Sequence, residues 1–226
     1  GKELSDTGVA AVAEALRPVK MPDSAWTSNP YLTSLSLSGD KVGDEGVKAI
    51  ADALQPTRGE GDGACWVFPC PALRYLNIAN RRGSEGLAAL AEALQPQVNP
   101  DGRLAHHPSL NVESVLGNWR GDGKLTALAD YLLAPKKVVT STSGTAVVDW
   151  VFNDKMTTLQ QFQAGITSIG AKATAMAMSP RETSSGDWRF NDVLNCIDLA
   201  CTRPIPLLFG IFSQYCYCRL CKPIFN

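Results

Sequence analysis

The stretch Leu32-Thr-Ser-Leu35-Ser-Leu37-Ser-Gly-Asp40-Lys-Val42-Gly43-Asp-Glu-Gly46-Val47 changes its apolar period in mid-course. Leucines at steps of three and two make a short strand, and Val47, Ile50, Ala51 and Leu54 then follow at helical spacing. The same switch recurs as Leu73, Leu76 and Ile78, then Gly83-Ser-Glu-Gly86, then Leu87, Leu90, Ala91 and Leu94. A weaker third copy has Leu110, Glu113, Val115 and Asn118, then Gly121-Asp-Gly-Lys124, then Leu125, Leu128, Ala129 and Leu132. A fourth runs through Leu159, Phe162, Ala164, Ile169 and Gly170 into residues 171–178. Leu4-Ser-Asp-Thr-Gly8-Val9, with Val12, Ala13 and Leu16, is the second half of another copy, so the chain is expected to start inside a repeat. Matching points at residues 8, 46, 86, 124 and 173 give spacings of 38, 40, 38 and 49.

Each strand-helix unit carries an apolar strand face and an apolar helix stripe that it cannot bury alone, so neighbours must stack. The order of strand, Gly-Asp-x-Gly turn and helix resembles the leucine-rich repeats of the ribonuclease-inhibitor subfamily. The resemblance covers residues 2–178 and implies an α/β solenoid with a parallel sheet on its concave side and helices on its convex side. About four and a half repeats are expected over 1–178, N-terminally truncated, followed by a linker and a non-repeat, cysteine-rich apolar tail over 179–226. Some positions depart from the pattern. Asp40, Asn118 and Thr167 stand where Asn is usual, and Glu113 occupies an inward strand position, where an unpaired carboxylate costs several kcal/mol. Glycines 8, 46 and 86 sit where the chain turns into a helix, which calls for positive φ or close backbone approach.

The repeats exceed the ~20–29 residues usual for this type, and the surplus lies in residues 18–30, 56–72, 96–109 and 135–158, each opened by a proline just past a helix. These connections hold Trp26, Trp66, Phe68, Trp150 and Phe152. Insertions at one point of a stacked repeat emerge on one edge, so the aromatics either anchor a partner there or fold back over the sheet edge. Alternation places Ser34, Ser36 and Ser38, then Tyr75, Asn77 and Ala79, then Val112, Ser114 and Leu116, then Gln161, Gln163 and Gly165 on the concave face. The protein-binding candidates are thus Ser34, Ser36, Ser38, Tyr75, Asn77, Ser114, Gln161 and Gln163, with Trp26 and Trp66 on the rim. A merely solvated face is the competing reading.

Composition argues against several chemistries. The 226 residues carry 21 Lys and Arg against 22 Asp and Glu, a net charge of −1, so no global field gathers nucleic acid or anionic lipid. The only histidines are adjacent, His106 and His107, which suits a satisfied surface pair better than a metal site. Arg120-Gly121-Asp122 falls in a repeat turn, Asn118 to Lys124 lacks the first glycine and the Ser/Thr of a phosphate loop, and residues 59–63 have only two carboxylates and no downstream bidentate glutamate at calcium-loop spacing. No cofactor and no metal are expected. Cys196, Cys201, Cys216, Cys218 and Cys221 crowd the end of the chain, where an appended element, a cysteine metal site and translated sequence beyond a true exon boundary are the alternatives; the last is favoured because a solenoid needs a polar cap. The apolar run 205–217 is 13 residues, short of a membrane span.

These readings converge on a non-catalytic protein-interaction module or scaffold, monomeric and cytoplasmic, with a protein or peptide partner. Relatives of this repeat type also include the GTPase-activating protein of Ran, which makes a GTPase activator the alternative by resemblance of fold alone.

Overall fold

The computed structural model describes residues 4–21, 26–38, 41–59, 65–79, 85–111, 121–142, 145–156, 158–160, 167–194 and 196–198. They fall into two compact units, residues 1–100 with 105–119, and residues 101–104 with 120–226.

In the first unit, helices α1 (Asp6–Leu16), α2 (Asp44–Leu54) and α3 (Glu85–Ala93) pack in sequence, α1 on α2 and α2 on α3. The strands Ser34–Ser38 and Tyr75–Ala79 pair in parallel, with Leu35 opposite Leu76 and Leu37 opposite Ile78. Leu37, Leu76 and Ile78 are buried, whereas Leu35 is only half-buried. The helices follow their stripe: Val47, Ile50, Ala51 and Leu54 of α2 all point into the core, and Asp44 and Glu45 in its first turn complement the N-terminal end of the helix dipole. Lys48 of α2 ties the exposed surfaces of two helices by reaching Glu45 and Glu85, and these hydrogen bonds raise its pKa above the ordinary lysine value. Such an exposed pair contributes little to stability.

In the second unit, α4 (Asp122–Ala127) widens into a π-helical turn over Leu128–Leu133 and packs against α5 (Ser168–Ala177). Among the described residues the strands pair only two by two, so the continuous concave sheet of the expected solenoid is not seen in them.

Within each unit, carboxylates join successive copies. Asp6 Oδ1 accepts from the Gly43 and Gly46 amides at 2.7 and 3.1 Å, and Asp44 Oδ1 accepts from the Gly86 amide at 2.9 Å. Asp122 Oδ1 accepts from the Thr167 and Gly170 amides at 2.7 and 3.2 Å, and its Oδ2 accepts from the Thr167 hydroxyl. Each acid at the start of one helix therefore satisfies amide donors that the start of the next helix leaves unpaired. This network corrects the fourth copy. Gly170, rather than Ala173, is the counterpart of Gly46, and Thr167 is the N-cap of α5 rather than an Asn-ladder residue. The described strand there is Thr158–Gln160, three residues ahead of the Leu159, Phe162, Ala164 register.

The glycines answer to contact rather than to φ. A Cβ on Gly46 would lie 2.6 Å from Asp6 Oδ1, and one on Gly86 would lie 2.8 Å from Val47 Cβ and 3.1 Å from Asp44 Cα. The described glycines with positive φ are Gly102, Gly121 and Gly186, of which Gly121 stands at the turn into α4, one position before its first residue.

The connections are not irregular loops. Pro18, Pro56, Pro96, Pro135 and Pro180 each stand two residues or so beyond a helix and are followed at once by a strand: Val19–Lys20, Thr57–Arg58, Gln97–Val98, Lys136–Thr142 and Arg181–Glu182. Antiparallel hairpins join Val19–Lys20 to Trp26–Thr27, Thr57–Arg58 to Trp66–Val67, Lys136–Thr142 to Thr145–Val151, and Arg181–Glu182 to Trp188–Arg189.

After the hairpin, a side-chain acceptor turns the chain toward the next strand. Asn29 Oδ1 accepts from Tyr31 and Leu32, Asn153 Oδ1 from Lys155, and Asn191 Oδ1 from Val193 and Leu194. These are Asx turns, for which asparagine is suited. In the third copy His107 does the same work, its Nδ1 accepting from Leu110 at 3.0 Å and Ser109 at 3.4 Å while Nε2 donates to the Pro69 carbonyl at 3.2 Å. The expected surface histidine is thus a buried one, 8% exposed, with the Phe68 ring edge-on to it.

The pattern also runs past Pro180, where the sequence reading stopped it. The hairpin closed by Trp188–Arg189 and the Asn191 turn lead into Cys196–Asp198, which pairs in parallel with Thr158–Gln160 and sets Ile197 opposite Leu159. Leu194 is buried, as Leu73 and Met156 are.

His107 gives the fold a pH dependence with a defined sign. Burial holds its pKa below the ordinary histidine value, outweighing the carbonyls of Pro69 and Cys70, which raise it. The neutral ring is the native form, so its contribution is complete above about pH 6.5 and is lost as pH falls through the lower folded value, because the unfolded chain then binds more protons. The melting temperature is expected to drop between pH 7 and 5, and His107→Gln to flatten that drop. An unchanged pH profile in the variant would exclude this role.

Candidate protein-binding face

Alternation along a strand decides which side chains meet a partner. The parallel register sets Ser34 beside Tyr75 and Ser36 beside Asn77, on the face opposite the leucines. Ser34 and Ser36 are exposed, Tyr75 is 46% exposed, and Asn77 is half-buried and engaged. These four expected residues therefore come together as a small, hydroxyl-rich, uncharged surface with one aromatic ring. Ser38 ends the same strand, and its side chain lies outside the described residues. Ser114, Gln161 and Gln163 also lie outside them, as do Val112, Leu116 and Gly165.

The rim tryptophans divide. Trp26 belongs to the strand Trp26–Thr27, but its side chain lies outside the described residues. Trp66 is half-buried, and its indole N–H donates to the Val98 carbonyl at 3.1 Å. Trp150, which the site reading did not single out, does the same to the Glu182 carbonyl at 3.0 Å. Both acceptors are the second residue after a connection proline, Pro96 or Pro180. The sequence signal for this equivalence was the shared Trp66-Val-Phe68 and Trp150-Val-Phe152, and Asp149-Trp-Val-Phe-Asn-Asp154 further repeats as Asp187-Trp-Arg-Phe-Asn-Asp192.

The Trp150 junction carries further contacts. Arg189 makes a bidentate ion pair with Asp149, both distances 2.8 Å, and that guanidinium holds the Asp149 carboxyl below the ordinary aspartate value. The Arg181 guanidinium lies 5.9 Å from the Trp150 ring centroid, and Ser184 donates its amide to the Val148 carbonyl. Such fork-shaped pairing suits arginine and not lysine.

Among the described residues no three His, Cys, Asp or Glu side chains gather as a metal site, and no helix is long and apolar enough to cross a membrane. Cys201, Cys216, Cys218 and Cys221 lie outside them.

Residues 28–51 match the family model described as a leucine-rich repeat, which supports a leucine-rich repeat protein. The matched segment holds the Asn29 turn, the strand Ser34–Ser38 and the first two turns of α2, the same succession that decided the sequence reading. No curated protein gives a significant match.

Proposed function

We propose that the chain is a solenoid of ribonuclease-inhibitor-like repeats that serves as a non-catalytic protein-interaction module, taking a protein or peptide on the face of Ser34, Ser36, Tyr75 and Asn77. The observation that carries this reading is the register, which aligns uncharged polar side chains beside one exposed aromatic ring while Leu37, Leu76 and Ile78 of the same strands are buried. Hydroxyls and an amide bind extended main chain without demanding a charge, and a tyrosine adds large contact area at low entropy cost. The leucine-rich repeat itself supports an interaction role.

A peptide ligand selected against the wild-type chain tests the reading. Tyr75→Ala is expected to weaken its binding by about tenfold or more, equivalent to ~1.4 kcal/mol, at an unchanged melting temperature. Equal affinity in the variant would remove the face from consideration. The activator alternative has its own readout: phosphate release from GTP-loaded Ran is expected to proceed at the same rate with and without the chain.

A further inference from the structure

We propose that the outer edge of the strand Trp188–Arg189 docks an arginine-bearing extended strand of a partner protein. The inference rests on the hairpin edge and stands apart from the concave face.

Two junctions within the chain show what this kind of edge takes. In each, a tryptophan on the second strand of one hairpin donates its indole N–H to a carbonyl on the first strand of the next, Trp66 to Val98 and Trp150 to Glu182. At the second junction the acceptor strand brings Arg181 over the indole and its hairpin brings Arg189 to Asp149. A carboxylate and an indole side by side thus receive two guanidinium groups and one main-chain carbonyl.

The same pair, Asp187-Trp188, is displayed one hairpin later. Its hairpin uses the Arg181–Glu182 side to meet Thr145–Val151, and among the described residues the Trp188 side is the outer edge. Trp188 is 55% exposed and Phe190 46%, whereas Phe152, the counterpart of Phe190, is buried. Asp187 Oδ2 accepts from the Ser185 hydroxyl. The internal junction is held by an indole N–H on a main-chain carbonyl and by a carboxylate on a guanidinium and not by a strand ladder, so the same two side chains at this edge supply both affinity and selectivity. The carboxylate beside the indole sets that selectivity for arginine, through bidentate pairing and stacking on the ring.

The probe is a labelled peptide with the sequence of residues 179–190, closed by a terminal disulfide to hold the hairpin, titrated against the full chain by fluorescence anisotropy. Saturable binding is expected, weakened at least about tenfold in Trp188→Ala and in Asp187→Asn, and when both arginines of the peptide become lysine. Tyr75→Ala is expected to bind the peptide like wild type, so failure of the concave face and failure of this edge are separable. Added peptide should also slow amide exchange at residues 187–190. Absence of saturable binding, or equal binding by Trp188→Ala, overturns the proposal. Self-association of the unliganded chain that Trp188→Ala abolishes would assign the edge to a second copy and overturn it equally.

Discussion

Gly86→Ala is expected to destabilise the chain by about 1–3 kcal/mol, against the direction that helix propensity alone gives. In an ordinary helical position alanine gains about 1 kcal/mol over glycine. Here the added methyl would meet Val47 Cβ at 2.8 Å and Asp44 Cα at 3.1 Å, both on the neighbouring helix, where neither atom is the free end of a side chain. Relief requires α2 and α3 to separate, which also lengthens the bond from the Gly86 amide to Asp44. Gly8 is the control. A methyl there meets Leu4 Cδ1 at 3.0 Å, the movable end of a side chain, so Gly8→Ala is expected to be neutral or slightly stabilising. Urea midpoints of the two variants decide the matter, and a Gly86→Ala protein as stable as wild type would refute the close approach.

Leu76→Ala is expected to cost about 2–5 kcal/mol, a large part of the ~5–15 kcal/mol available to an ordinary domain. Leu76 is fully buried on the strand Tyr75–Ala79, opposite Leu35. Its neighbour Tyr75 points the other way, so truncating adjacent residues should separate two readouts, stability for Leu76 and ligand affinity for Tyr75. A loss of thermal stability in Tyr75→Ala as large as in Leu76→Ala would contradict this division of faces.

The strand-turn-helix succession was legible because two periodicities, two and 3.6, leave separate marks on a sequence. The hairpins were not, since arms of two residues such as Val19–Lys20 are too short to show alternation and the longer arms Lys136–Thr142 and Thr145–Val151 carry adjacent valines in place of it. Their signature lay instead in Pro-x-x and in the repeated Asp-Trp-x-Phe-Asn-Asp. The fourth copy slipped by three residues because Leu159, Phe162 and Ala164 satisfy the strand template as readily as Met156 and Leu159 do. The Asn153 turn and the Asp122 bonds to Thr167 and Gly170 fix the register, and the latter reach across 45 and 48 residues of sequence. At the candidate face, Ser34, Ser36, Tyr75 and Asn77 followed from alternation alone. The engagement of Trp66 did not, because its acceptor is 32 residues away in sequence.

The carboxylates that Asp6, Asp44 and Asp122 extend to the next helix make the unit that can be copied different from the unit that can be seen. A duplication that begins at a strand and ends at a helix such as α2 carries both the donor glycine of its own turn and the acid for its successor, whereas copies with Ser84 or Ser168 at that position carry the glycine alone. A cut between the acid and the following turn would strand amides in one place and a carboxylate in another. The hairpins take no part in that hand-over and differ in length, with seven-residue arms at Lys136–Thr142 and Thr145–Val151 beside two-residue arms at Thr57–Arg58 and Trp66–Val67.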